Sequence, residues 1–255
     1  MSKTKQMYSR ADTLIAYLKK FVKNEFNRMG LLGFDELNVL NTQSQTDQLY
    51  TRLKNENQKL YMDASKNAQA FALKLIALMR KGYTGLDLDG LTTGDFEKYV
   101  NKENVNTDEV VESNSIGSLI WLVAFLGKYN RNTGYLYESE ADRKRMRYNE
   151  EILTAREYGD RGMFNQSTQR SANLWYGQSE QYLLDVVDEA TIETYGNNNV
   201  KYVMWMTEGD SKVCSECQSR HGFVYAIDEI PDKPHKRCRC YLIPMVGKNK
   251  RQRSQ

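Results

Sequence analysis

The sequence predicts a mainly α fold, with a long-helix N-terminal body and a small β-rich C-terminal module. Three observations carry this. All three prolines, Pro231, Pro234 and Pro244, lie in the last 25 of the 255 residues, so 230 residues pass without the residue that best interrupts a helix. Apolar residues before residue 197 recur at spacings of three and four, the period of a helix with one buried stripe. After Asn199 the period changes to two, and β-branched and aromatic residues take over.

The first helix is read from "ADTLIAYLKKFVKNEFN", where Leu14, Ile15, Leu18, Phe21, Val22 and Phe26 form one stripe with lysines opposite. A second follows from Leu49, Leu53, Leu60, Ala64, Ala68, Phe71, Leu75 and Leu78. It is closed by Lys81-Gly82, a basic last turn and a helix-stopping glycine. Residues 83–115 are rich in Gly, Asn, Asp and Thr and read as a connecting region with a short helix or two.

"IGSLIWLVAFLG", from Ile116 to Gly127, is twelve residues long. A membrane-spanning helix needs about 20, so it reads as a buried core helix and no membrane span is expected. Nor does the N-terminus carry the charged start and apolar run of a secretory signal. Helical patterns return from Glu138 to Val187 and stop at Gly196-Asn197-Asn198. The basic cluster Arg143, Lys144, Arg145 and Arg147 has acidic neighbours on both flanks and reads as a solvated helix face.

Three short strands are expected in "VKYVMWMT", "GFVYAI" and "CYLIPMV". The domain organisation is therefore a helical body over 1–197, a β-rich module over 198–247 and a basic tail over 248–255. Charge follows the same division. Residues 201–255 hold 11 Lys and Arg against 6 Asp and Glu, while the rest of the chain holds 25 against 27. A basic C-terminal quarter suits contact with a polyanion or an acidic surface.

Every cysteine and histidine falls within 27 residues, from Cys214 to Cys240. Cys214 and Cys217 stand in C-x2-C spacing, which lets two thiolates from one tight turn reach a single ion. His235, Cys238 and Cys240 follow after seventeen intervening residues, and His-x2-Cys repeats the first step. Four nitrogen and sulfur ligands close a structural zinc site, so the expected cofactor is Zn2+ held by Cys214, Cys217, His235 and a fourth ligand, Cys238 or Cys240. One of those two is expected to face the ion and the other the core. His221, beside Gly222, reads as a turn histidine open to water.

Competing readings of the cysteines are a disulfide pair, a thioredoxin-like redox pair and a catalytic zinc with Glu216 as its base. The first lacks an export signal, the second a βαβ setting, and the third suffers from thiolates that saturate the ion. A module of about 45 residues with few large apolar side chains needs a staple, which a structural ion supplies.

The segment "WMTEGDSKVCSECQSRHGFVYAIDEIPDKPHKRCRC" resembles the C-terminal signature of the Mu F-like minor head proteins, the head-morphogenesis family of tailed bacteriophages. The resemblance rests on Trp205, Thr207, Asp210, Cys214, Cys217, Gly222, Pro234, His235, Cys238, Arg239 and Cys240, in that order and spacing, and covers about 40 of 255 residues. The chain departs from the pattern at Lys236, where the family often has proline, and in "QRSANLW", where it often has Arg-Thr-Glu.

The resemblance implies a non-enzymatic minor capsid protein made in the host cytoplasm and carried in the virion. It would sit inside the head at the portal vertex, with the portal protein and other head proteins as partners. Its work would be head morphogenesis, DNA packaging or DNA ejection, with non-specific basic contacts to packaged double-stranded DNA. The alternatives are a zinc-stabilised DNA-binding protein, which would need a recognition helix at the metal loop, and a metal-dependent nuclease, which would need a second histidine in "GFVYAIDEIPDKPHKRCRC".

Overall fold

The computed structural model describes residues 9–31, 34, 39–81, 135–207 and 213–245. The expected helix at 116–126, the connecting region 83–115, Asp210 and the basic tail 248–255 lie outside these. Among the described residues four long helices come first: α1 (Ser9–Leu31), α2 (Val39–Arg80), α3 (Tyr135–Glu157) and α4 (Arg161–Asn197). They are followed by β1 (Tyr202–Met206), the one-and-a-half-turn helix α5 (Ser215–Arg220), β2 (Val224–Ala226) and β3 (Tyr241–Met245). The fold is mainly α with a small antiparallel sheet near the C-terminus. Among the described residues no helix is long and apolar enough to cross a membrane.

The chain divides into two compact units. One comprises Leu14–Met62 and Gly117–Tyr182. Its core uses the stripe expected on α1, with Leu14, Ile15, Leu18, Val22 and Phe26 all buried, while Phe21 is half-buried. Aromatic rings lock the helices edge to face. Phe26 meets Tyr148 at 5.6 Å between centroids, Phe34 meets Phe164 at 5.6 Å, and Tyr50 meets Trp175 at 5.1 Å.

Polar contacts cross this core at Ser179, whose Oγ accepts from Asn57 Nδ2 at 2.8 Å and whose carbonyl accepts from Tyr61 OH at 3.5 Å. The basic cluster of α3 is engaged with neighbouring polar groups. Arg145 pairs with Asp47 at 3.0 Å, Arg147 with Glu151 at 2.9 Å, and Lys144 Nζ donates to Gln178 Oε1. A guanidinium held by a carboxylate has less to offer a phosphate, in line with the solvated-face reading.

α3 and α4 are separate helices, a break that the sequence reading did not place. Gly159 sits at φ +67 and supplies the left-handed turn that ends α3. Asp160 then caps α4, its Oδ1 accepting the Met163 N–H at 2.8 Å.

The second unit comprises Met1–Thr13, Asp63–Ile116 and Leu183–Gln255, and it carries the sheet. Strand order is β2-β1-β3, all antiparallel, with Met204 opposite Val224 on one side and Ile243 on the other. Val203, Trp205 and Met206 are buried in the central strand, and Tyr241, Leu242 and Ile243 in β3. Pro244 lacks an N–H and stands on an outer strand, where the ladder tolerates it.

The change of period at residue 197 coincides with the end of α4. The compact unit, however, reaches back across that point into helical residues. Tyr195 OH, fully buried, donates to the Leu242 carbonyl at 2.9 Å, and Lys233 pairs with Asp188 at 2.5 Å. Arg80 of α2 donates to the Asn198 carbonyl at 3.1 Å, and Arg239 forks onto the Asp12 carboxylate. The module thus shares its core and its ion pairs with helix ends.

Candidate metal centre

The first ligand pair is built by a helix start. Cys214 is the N-cap of α5, its backbone extended and its Sγ accepting the Cys217 N–H at 3.3 Å. A helix start leaves N–H groups unpaired, and an electron-rich sulfur satisfies one of them. One turn later Cys217 lies 2% exposed. The helix is fixed from its other end as well. Arg220 bonds to Glu216 at 2.6 Å and to the Asp232 carbonyl at 2.7 Å, and its guanidinium lies 5.3 Å from the Trp205 ring centroid.

Gly222, at φ +80, turns the chain into β2, and its N–H reaches the Trp205 carbonyl at 2.7 Å. His221 is half-buried in this turn and not simply open to water. Its Nδ1 accepts the Thr207 backbone N–H at 3.1 Å, which places the proton of the neutral ring on Nε2. It ties the end of β1 to the end of α5 and stands outside the ligand cluster.

The second group comes from a loop with an unusual backbone. Arg237, between His235 and Cys238, sits at φ 58, a conformation that costs a side-chain-bearing residue about 1–2 kcal/mol. His235 Nδ1 donates to the Lys236 carbonyl at 2.9 Å, so Nε2 keeps its lone pair and points it at Cys217 Sγ, 3.5 Å away. A metal-ligating histidine takes that arrangement, with one nitrogen tied to a carbonyl and the other free to bind.

The structure brings all five candidate ligands into two overlapping groups. Cys214, Cys217 and His235 form one group and Cys217, Cys238 and Cys240 another; within each, the donor atoms lie within 4.8 Å of one another. Cys217 belongs to both. Its Sγ is 3.6 Å from that of Cys238, well beyond the ~2.05 Å of a disulfide. The expectation that one of Cys238 and Cys240 turns away to the core is overturned. The sulfurs of both lie within 4.8 Å of one another and of Cys217 Sγ, so the two side chains do not turn to opposite faces.

Charge in the cluster is shared unequally. A hydrogen bond from the Cys240 thiol, followed by a backbone bond and the Lys233 charge, holds Cys238 down to about 5 against the cost of its burial. Cys240, as the donor of that bond and buried, is pushed well up. Burial is the main cause raising Cys217 to about 12. The Cys217 backbone N–H lowers Cys214, and the bond to the Lys236 carbonyl leads the factors raising His235. Four sulfurs and one imidazole with its tautomer preset are a donor set for a borderline-soft divalent cation, so the cluster can hold a metal ion.

Two supports of the site were not visible in the sequence, the Lys233–Asp188 pair and the Arg239–Asp12 fork, because neither has a local spacing signal. Glu216 and Arg220 were legible in principle as an i,i+4 pair on a helix.

The left-handed turn at Arg237 gives a direct test. Arg237→Gly is expected to hold or raise the stability of the metal-loaded protein by up to about 1 kcal/mol, while Arg237→Val costs about 1–2 kcal/mol. Thermal denaturation of the two variants checks this, and equal effects would show that the turn is not strained.

The site defines a class: a Cys/His cluster able to hold a metal ion, laced to a three-stranded antiparallel sheet that follows long helices. Among known proteins, no family model, no curated sequence and no solved structure matches this chain.

Proposed function

We propose that this chain is a minor structural protein of a tailed-phage head, seated inside the capsid at the portal vertex, in which one zinc ion shapes the C-terminal module and performs no chemistry. The phage assignment is supported by the ordered motif from Trp205 to Cys240. The structural role of the ion is supported by one observation above the rest. Glu216, the carboxylate between the two cysteines and the natural candidate for a general base, is bound to Arg220 at 2.6 Å. A base held by a guanidinium beside a thiolate-rich ion is badly placed to activate water.

The zinc-stabilised DNA-binding alternative gains little from the metal loop. Its helix α5 has six residues, and Arg220, its basic side chain, is already bound to Glu216, Asp232 and Trp205. Contacts to packaged DNA would instead be non-specific, made by the lysines and arginines of the basic C-terminal quarter.

The test is complementation of a phage that lacks this protein, with incorporation counted in purified particles. Glu216→Gln is expected to assemble and infect as the wild type does, while His235→Ala lowers incorporation at least several-fold. A Glu216→Gln protein that enters particles normally but abolishes infectivity would mean that chemistry occurs at the ion. Normal incorporation of His235→Ala would mean that the ion is dispensable to assembly.

A further inference from the structure

We infer that the ion is held by Cys214, Cys217, His235 and Cys238, and that Cys240 stays outside the coordination shell as a positioning thiol against the Cys238 sulfur. This rests on reading the cluster as a metal site, and it resolves a choice that ligand spacing alone leaves open.

The first argument is the size of a tetrahedron. With Zn–S near 2.3 Å and Zn–N near 2.0–2.1 Å, the ligand-to-ligand edges come to about 3.8 Å for sulfur to sulfur and about 3.6 Å for sulfur to nitrogen. Cys217 Sγ stands 3.6 Å from Cys238 Sγ and 3.5 Å from His235 Nε2. Two edges meeting at Cys217 therefore already have tetrahedral length; Cys214 lies within 4.8 Å of Cys217 and His235, while Cys238 is grouped with Cys217 and Cys240, so closing the shell requires its sulfur to move in toward Cys214 and His235.

The second argument is where the backbone is strained. Arg237 takes φ 58 between His235 and Cys238, and a left-handed residue inside the loop brings both side chains back to one point. Strain of this kind persists where surrounding structure demands it, and coordination by both flanking residues would be such a demand.

The third argument is anchorage. The Cys238 carbonyl accepts from Lys233 Nζ at 3.1 Å, and the same ammonium pairs with Asp188 of α4 at 2.5 Å, so the backbone at Cys238 is held in place. Cys240 is committed elsewhere. It immediately precedes Tyr241, which pairs with Met206, and drawing its sulfur into the shell would pull against the first rung of β3. The Cys240 thiol therefore supports the site by lying beside Cys238, which would place it among the outer partners that orient a ligand.

Cobalt(II) replacing zinc in the full-length chain reads the thiolate count directly, because thiolate-to-cobalt charge transfer scales with it. Cys240→Ala is expected to keep the wild-type three-thiolate spectrum, with affinity lowered by about 10–100-fold. Cys238→Ala should lose charge-transfer intensity and weaken binding by more than about 100-fold. Because that variant can fail to fold, Cys238→His is the second probe. It keeps a donor in place and should bind cobalt with the intensity of two thiolates in place of three. The reverse pattern, with Cys240 variants losing intensity and Cys238 variants keeping it, overturns the assignment alone. A wild-type chain that binds neither cobalt nor zinc overturns both the assignment and the metal reading.

Discussion

Cys217→Ser is expected to leave the chain without zinc and to unfold the sheet. Cys217 is the residue common to both ligand groups and is 2% exposed, so a serine there removes the central thiolate and leaves a poorly matched hydroxyl among sulfurs. Zinc supplies on the order of 10 kcal/mol to the folding of small zinc domains, and a whole domain is stable by only about 5–15 kcal/mol. Losing the ion therefore decides whether the sheet exists.

The damage is expected to spread beyond residue 200. Tyr195 and Asp188 both bond to the module, so the last turns of α4 should lose hydrogen-exchange protection together with β1 and β3. The unit formed by Leu14–Met62 and Gly117–Tyr182 has its own aromatic core and should keep its protection. Zinc analysis and hydrogen exchange by mass spectrometry check both halves of this expectation. A zinc-free Cys217→Ser protein with an intact sheet would refute it. Cys214→Ser should be milder, since Cys214 is only partly buried and serine still caps α5.

The compact unit that carries the sheet also takes in the end of α4, a sharing of core that the sequence does not announce. The composition argument was sound as far as it went, since three short strands cannot bury enough by themselves. It missed that helix ends contribute the remainder. Tyr195 and Asp188 sit on the apolar-patterned end of α4, yet nothing in a helical period says that one will bond Leu242 and the other Lys233. Asp12 and Arg239 are 227 positions apart, and no local spacing can announce such a pair.

Legible features were those with a period or a fixed step. The stripe from Leu14 to Phe26 came through because its buried positions repeat with the helix. The strands came through because their residues alternate and are β-branched or aromatic. The Cys/His cluster was legible because C-x2-C and H-x2-C are steps that suit ligands of a single metal ion. The facing of Cys240 was misread, although period two already put it beside Cys238. The role of His221 was hidden for a different reason, since its partner is a backbone N–H, at Thr207, and backbone groups leave no mark in a sequence.

Trp205→Ala is the second large effect expected, and it separates packing from coordination. Trp205 is 2% exposed in the central strand. Its ring meets Tyr225 edge-on at 6.3 Å and carries the Arg220 guanidinium at 5.3 Å, so it sits between the sheet and the helix that bears Cys217. Truncating a buried tryptophan costs about 3–5 kcal/mol. None of the ligands is touched, yet zinc affinity should fall as well, because folding and metal binding are one equilibrium in such a module.

Trp205→Phe keeps an aromatic face for Arg220 and Tyr225 and should lose no more than about half as much. Denaturant titration of the zinc-loaded variants, with zinc affinity measured by competition with a chelator, reads both quantities on one sample. If Trp205→Ala lost zinc affinity without losing stability, the ring would be acting on the ligands alone. If it stayed within about 1 kcal/mol of wild type on both measures, the module would be held by its ion with little help from its core, against the burial seen in β1 and β3.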